Sequence, residues 1–372
     1  MPTPLRIAQV APPIERVPPD GYGGTERVIY ELVRELAARG HEVTTFASGD
    51  SDVPGEHVET VPRALRNEGF GGAPTGFVIG TMLQVLDHAT EFDVIHSHLE
   101  WMSIPLSRAT TVPVAATFHG RLDLPWARSV LEPSSPVHLV AISESQAADH
   151  PSLDWTIVHN GLTLKDAPFE RRRSDDLVFV GRVTPEKGII EAIQIAELSG
   201  RHLKIAAKVG TTPEEQAYND DVFQPALKKA GSAVEFVGEL SGDDRDELIS
   251  TAYAVLMPGS WPEPFGLVAI ESLACGTPVL ARRVGGLSEI IRDGVDGFFG
   301  DDVTQLAFSV PRVAELDRDE IRASVIERFS AERMADGYEA LYRRMLGEAE
   351  SPAAEAEPEP DPERVVEMAA RR

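Results

Sequence analysis

The sequence predicts an α/β protein with two parallel-sheet domains that face each other across a cleft. Short apolar stretches rich in β-branched residues alternate with stretches whose apolar residues recur at helical spacing. This alternation occurs twice, and a polar, charged segment at residues 161–176 separates the two series. Strands separated by helices form parallel sheets through right-handed crossovers. Ligands of such sheets bind at the carboxyl ends of the strands, which places them in the cleft.

The first series begins with a predicted buried strand at residues 5–11. A helix is predicted over 25–40, because Val28, Ile29, Leu32 and neighbouring apolar residues share one face and Gly40 can end it. The remaining strands of this series are predicted at 42–48, 93–98, 112–119, 137–143 and 156–160.

The second series contains predicted strands at 177–182, 202–209, 234–240, 254–259 and 277–284, with helices at 186–200 and 266–276. We therefore assign residues 1–164 to an N-terminal domain and 165–329 to a C-terminal domain. Residues 330–346 are patterned as an amphipathic helix. Residues 347–372 are mostly Glu, Ala and Pro, and we expect a disordered acidic tail there.

The overall composition excludes several classes of protein. A hydrophobic content of 42% and a charged content of 26% indicate a folded chain. The net charge of −25 argues against binding nucleic acid or an anionic membrane through bulk charge. The single cysteine, Cys275, excludes an intrachain disulfide and a cysteine-based zinc site. We expect a cytoplasmic protein without integral membrane association, since no signal-like start or long apolar run is present.

A glycine-rich loop, GYGGTE, lies between the first strand and the first helix. Backbone N–H groups at a helix start bind anions, and Gly23 and Gly24 would let a phosphate approach closely. Glu26 stands where a dinucleotide fingerprint needs its third glycine, which disfavours a nicotinamide site. A plain turn remains the alternative for this loop.

Two cations follow the first strand of the second series. Arg182 ends that strand, and Lys187 is predicted in the first turn of the next helix. Cations usually avoid helix N-termini because the helix dipole is positive there, so this pair suggests a shared anionic ligand. Surface pairing with Glu186 or Glu191 is the alternative.

The segment WPEPFGLVAIES at 261–272 combines two carboxylates with a helix start. Glu263 precedes Pro264, which favours an extended backbone before the helix, and Glu271 follows eight positions later. The N–H groups of Phe265, Gly266 and Leu267 would suit phosphate or sugar oxygens. The two glutamates could then hold hydroxyls of one elongated polar ligand. Alternatively, Glu263 is a helix-start charge and Glu271 a solvated residue.

The sequence IHSH places His96 and His98 on one face of a predicted strand, a spacing at which two imidazoles can ligate a metal. Because no third ligand is apparent nearby, a polar role in the wall of the cleft is favoured. No metal site is predicted.

Three segments, GYGGTERVIYEL, FVGRVTPEKG and EPFGLVAIESLACGTPVLARRVGGLSEIIRDGVDGF, together resemble retaining glycosyltransferases of family 4. The resemblance covers about residues 5–346. It implies the GT-B fold, with two Rossmann-like domains and the last helix, 330–346, packed back onto the N-terminal one. It also implies metal-independent transfer of a sugar from a nucleotide-diphosphate donor, with uridine favoured, to an unknown acceptor hydroxyl, without a cofactor.

The resemblance also implies roles for individual residues. Arg182 and Lys187 would neutralise the donor diphosphate, which the loop with Gly23 and Gly24 would reach from the other domain. Glu271 would bind the nucleotide ribose and Glu263 the sugar hydroxyls. His119 matches the family histidine near the donor sugar. A non-catalytic sugar-nucleotide-binding protein and a sugar-nucleotide epimerase of the same fold stay open as alternatives.

Overall fold

The computed structural model describes residues 3–21, 23–70, 74–133, 136–171, 173–240 and 242–348. The predicted tail at 347–372 therefore lies, beyond Glu348, outside the described residues. Two parallel sheets make up the fold, as the sequence predicts.

The first sheet has seven parallel strands in the order β3-β2-β1-β4-β5-β6-β7. These strands are β1 Arg6–Val10, β2 Glu42–Ala47, β3 Glu56–Glu59, β4 Val94–Ser97, β5 Val114–Phe118, β6 His138–Ala141 and β7 Trp155–Ile157. The sequence did not predict β3. Its residues, EHVE, are partly or fully exposed at the sheet edge and carry no apolar run.

The second sheet has six parallel strands in the order β10-β9-β8-β11-β12-β13. They are β8 Leu177–Arg182, β9 Leu203–Lys208, β10 Val234–Gly238, β11 Ala254–Met257, β12 Val279–Ala281 and β13 Gly297–Phe299. The three-residue edge strand β13 was also not predicted, since it is too short to show a period.

Helices connect the strands of both sheets. In the first half they are α1 Gly24–Ala38, α2 Thr75–His88, α3 Ser103–Ala109, α4 Ala127–Leu131 and α5 Glu144–Ala147. In the second half and beyond they are α6 Ile189–Ser199, α7 Pro213–Tyr218, α8 Gln224–Ala230, α9 Gly242–Thr251, α10 Leu267–Ala274, α11 Leu287–Ile290, α12 Val303–Ser309, α13 Arg318–Phe329 and α14 Ala331–Met345. None of the helices in the described ranges has the length and apolar content needed to span a bilayer.

Each sheet reverses its strand order once, between β1 and β4 in the first and between β8 and β11 in the second. Helices that follow β1 and β4 therefore leave toward opposite faces of the sheet, which opens a crevice at the carboxyl ends of these strands. The same holds for β8 and β11. The two crevices supply the residues of the candidate site.

The chain crosses between the two halves twice, at Leu162 and at Ser330. The Leu162 N–H donates to the Phe329 carbonyl (3.2 Å), and the Ala331 N–H donates to the Leu162 carbonyl (2.9 Å). From Ser330, which caps α14 through its side chain, the last helix packs onto the first half. Tyr338 and Tyr342 of this helix are fully buried.

Candidate active site

A cleft of about 530 Å³ lies between the two halves. The sequence assigns ten residues to the donor-binding site, and nine of them line this cleft. They are His119, Lys187, Glu263, Gly23, Gly24, Phe265, Gly266, Leu267 and Glu271. The tenth, Arg182, is not among the lining residues. Segments that are distant in sequence thus form one surface.

Two helix N-termini meet in this cleft. Helix α1 begins at Gly24 and α10 at Leu267, and a Cβ atom on Gly24 would stand 3.1 Å from Leu267 Cδ1. Gly266, which precedes α10, has a φ of 117°, and a Cβ there would stand 2.6 Å from Leu287 Cδ2. Only glycine fits at position 266. The positive ends of both helix dipoles therefore point toward one volume, which suits an anion.

Lys187 and Glu263 form an ion pair on the wall of the cleft that the C-terminal half of the protein supplies. The ammonium Nζ lies 2.9 Å from Oε1 and 2.6 Å from Oε2 of the glutamate. The structure corrects the placement of Lys187 in a helix: it ends a 3₁₀ turn, Pro185–Lys187, and α6 begins only at Ile189. Gly188, with a φ of 75°, separates the two elements because the backbone turns left-handed there.

The Arg182 side chain is not among the groups that line the cleft, and it pairs with two glutamates. Its guanidinium lies 3.2 Å from Glu215 Oε1 and 3.5 Å from Glu186 Oε1. The structure thus contains the pairing with Glu186 that the sequence left open as the alternative. The phosphate-binding role of Arg182 stays a prediction that requires this side chain to change partners.

Glu271 is buried and links the two halves of the protein. Its Oε1 pairs with Arg27 of α1, in the first half, and lies 3.3 Å from Arg245 of α9. Within the described residues, side-chain hydrogen bonds reach only this oxygen. Oε2 of Glu271 is therefore available to a ligand without loss of the link between the halves.

His119 belongs to a chain of buried hydrogen bonds that runs from the cleft to α14. His119 Nε2 lies 2.9 Å from His98 Nδ1, and His98 Nε2 lies 3.1 Å from Gln9 Oε1. The Gln9 amide in turn donates to the Tyr342 hydroxyl (3.1 Å). His96 contacts the same hydroxyl at 2.7 Å, so both histidines of the IHSH sequence bond protein atoms.

This chain determines the tautomer of His119. The Gln9 oxygen can only accept, so His98 carries its proton on Nε2 and accepts at Nδ1. His119 must then donate from Nε2. Burial lowers the pKa of His119 to about 4, so near neutral pH the ring is uncharged and its Nδ1 is a hydrogen-bond acceptor.

Several cleft residues were not predicted from the sequence. They are Glu26, Arg27, Glu100, Lys208 and Arg245, all of which line the cavity. Arg245 lies in the charge-rich run GDDRDE, where nothing marks one charge as different from its neighbours. Glu100 follows IHSH closely, and that strand end was the one signal that pointed toward it.

No group of three or more His, Cys, Asp or Glu side chains in the described ranges is arranged to hold a metal ion. The lining of the cleft contains charged side chains and helix N-termini from both halves of the protein.

Comparison with known proteins agrees with this architecture. A family model described as Glycosyltransferase Family 4 matches residues 22–165, and one described as Glycosyl transferases group 1 matches residues 163–329. Similar proteins include glycogen synthase of Mycobacterium tuberculosis, 28% identical over 80% of this chain and 84% of the relative. Another is D-inositol 3-phosphate glycosyltransferase of Mycobacterium bovis, 28% identical over 93% of this chain and 84% of the relative.

Solved structures agree as well. AviGT4, a glycosyltransferase involved in avilamycin A biosynthesis, is 27% identical with a TM-score of 0.71, over 93% of this chain and 99% of its own. Anabaena HepE in complex with UDP and glucose has the same fold, with a TM-score of 0.68 at 17% identity, over 91% and 99% of the two chains. The family models, the similar proteins and the fold together indicate a glycosyltransferase enzyme of the GT-B fold. The first half of the chain is thus similar to Glycosyltransferase Family 4 and the second half to Glycosyl transferases group 1.

Proposed function

We propose that this enzyme transfers a sugar, with retention of configuration and without a metal ion, from a nucleotide-diphosphate donor to an acceptor hydroxyl. The donor is a UDP-sugar. The observation that carries the proposal is the convergence of Lys187, Glu263, Glu271 and two helix N-termini on one cleft. HepE, a neighbour in fold, was solved with UDP and glucose, which supports a uridine nucleotide here.

The diphosphate would lie between the N-termini of α1 and α10. Helix N–H groups and the Lys187 ammonium supply positive charge where the leaving group becomes more negative. Lys187 is held by Glu263 in the free protein, so donor binding requires it to exchange that carboxylate for phosphate oxygens. This exchange would release Glu263 for the hydroxyls of the sugar.

The ribose would lie on Glu271. Because Arg27 and Arg245 hold Oε1, the carboxylate is already oriented, and Oε2 can accept from a ribose hydroxyl. His119, with Nδ1 as an acceptor, would bind a donor-sugar hydroxyl from the N-terminal half. In this proposal the N-terminal domain binds the acceptor and the C-terminal domain binds the nucleotide.

In the transfer step, the bond between the sugar carbon C1 and the phosphate oxygen breaks, and a bond from C1 to the acceptor oxygen forms on the same face. The acceptor proton passes to an oxygen of the departing diphosphate. No metal is needed if the cations and helix N-termini of the cleft balance the diphosphate charge. We therefore expect transfer to continue in EDTA; complete loss that one divalent ion restores would contradict the metal-free part of the proposal.

Two substitutions test the placement of the donor. Glu271→Gln should weaken binding of free UDP by about tenfold, since one charged hydrogen bond to the ribose is lost. Glu263→Gln should leave UDP affinity unchanged or higher, because it frees Lys187 for the phosphates. Its main cost should fall on turnover, on the order of 10²–10³ in rate.

Isothermal titration calorimetry with UDP, together with steady-state kinetics on a UDP-sugar, measures both effects. Glu132→Gln, at an exposed carboxylate paired with Arg128, is a matched control that should change neither. Equal weakening of UDP binding by the two cleft substitutions would show that the proposed position of the donor sugar at Glu263 is wrong.

A further inference from the structure

Glu100 occupies an unusual position at the carboxyl end of the first sheet. It lies three residues after β4 and beside His119, the residue that follows β5. Its φ is 53°, and it is the only non-glycine residue with a positive φ in the described part of the chain. A left-handed backbone is unfavourable for a side chain of this length, so the surrounding structure holds Glu100 there.

One oxygen of Glu100 is fully engaged by the backbone. Oε1 accepts hydrogen bonds from the N–H groups of His119 and Gly120, both at 3.0 Å. Over the ranges that the structure describes, hydrogen bonds reach Oε1 alone, and the residue lines the cleft. The two bonds orient the carboxyl group, which leaves Oε2 to a ligand in the cleft.

Among the residues that the structure describes, no cation balances the charge of Glu100. In the described part of the chain, no basic group lies within 4.0 Å of its carboxylate. Burial therefore raises its pKa to about 7, even though the N–H groups of His119 and Gly120 act in the opposite direction. A hydroxyl that donates to Oε2 would supply part of the missing stabilisation.

A second glutamate lies on the same wall of the cleft, which is the wall formed by the N-terminal half. Glu26 also lines the cleft with 6% of its surface exposed, and burial raises its pKa to about 7. The two cations of the wall are already paired, Arg27 with Glu271 and Arg66 with Glu15. Above pH 7, where both carboxyl groups are mostly ionised, a phosphate or carboxylate placed here would meet negative charge, and both of these arginines already have a partner.

We propose that Glu100 binds a hydroxyl of the acceptor, and that this acceptor is a polyol or sugar without phosphate or carboxylate near its reacting hydroxyl. This inference rests on the glycosyltransferase function proposed above. Glu100 selects the acceptor in two ways: its carboxylate accepts a hydrogen bond from a neutral hydroxyl, and above pH 7, where Glu26 is also mostly ionised, the two carboxylates repel anionic compounds.

Anion-exchange separation of a small-molecule extract of the source organism provides the acceptor test. Each fraction is incubated with the enzyme and radiolabelled UDP-sugar, and release of free sugar to water reports donor chemistry separately. We expect labelled product from the unretained, non-anionic fraction. Product from the retained fraction alone, or from neither fraction while the donor is still hydrolysed, overturns this inference. Absence of both UDP binding and donor hydrolysis would overturn the proposed function itself.

Glu100→Gln then tests the residue with the acceptor found. The KM for this acceptor should rise about tenfold or more, and the ratio of transfer to hydrolysis should fall by a similar factor. UDP affinity, measured by calorimetry, reports whether the variant is folded and its donor site intact. Glu132→Gln is the control at an exposed site. An unchanged acceptor KM in a variant that still binds UDP overturns the role of Glu100.

Discussion

The carboxyl group of Glu100, a partly buried residue, should make the free energy of unfolding depend on pH in a predictable direction. Its pKa rises from 4.5 to about 7 on folding, chiefly because burial disfavours the charged form. The group therefore contributes no penalty below pH 4.5, and it progressively destabilises the folded state as pH rises from 4.5 to 7. At about 1.4 kcal/mol per pH unit, the full penalty is about 3 kcal/mol above pH 7.

Glu100→Gln removes this penalty because the amide is neutral at every pH and keeps an oxygen for the N–H groups of His119 and Gly120. The variant should therefore gain stability relative to the wild type as pH rises. Between pH 5 and pH 8.5 the gain should be about 2 kcal/mol, since a small part of the penalty is already present at pH 5.

Urea unfolding of both proteins at pH 5 and pH 8.5 measures this difference. Burial lowers the pKa of His96 to about 3 and that of His119 to about 4. Both histidines therefore reduce the stability of the folded protein as pH falls below 6.5. These losses occur in both proteins and cancel in the comparison. A stability difference that is the same at both pH values would refute the view that the Glu100 carboxyl group is desolvated without a balancing cation.

Two further predictions concern the backbone at position 266 and the last helix. Gly266→Ala should cost about 2 kcal/mol or more and abolish UDP binding, because its φ of 117° and the contact with Leu287 admit no side chain. Thermal unfolding and calorimetry measure both effects; Gly80→Ala, in open space within α2, is the control, and equal behaviour of the two variants would contradict the argument. Truncation after Ser330 should abolish stable folding, since it removes the buried Tyr338 and Tyr342, whereas truncation after Glu348 should leave the Tm unchanged. A stable, active product of the shorter chain would refute the packing argument.

Local patterns in the sequence were sufficient to predict the two sheets and most of their strands. Buried parallel strands are continuous apolar runs, and each is followed by a helix with its own period, so both can be recognised without knowledge of their neighbours. The same applies to Gly266, Phe265 and Leu267, because a proline, a glycine and the start of an apolar helix follow one another within a few residues. The edge strands β3 and β13 were missed because they are short and carry little or no apolar pattern.

Only the tertiary structure shows how the charges of the cleft are paired. The sequence presents Arg182 and Lys187 as equivalent cations, but Arg182 turns toward Glu215, and Lys187 meets Glu263. Neither the link between Arg27 and Glu271 nor the isolation of Glu100 can be recognised from the residues around them. Ion pairs form between side chains 76 or 244 positions apart, and burial depends on elements that pack from elsewhere in the chain. Residue types and local periods determined the elements and many of the groups at the cleft, whereas the partner of each charge depended on how the two halves come together.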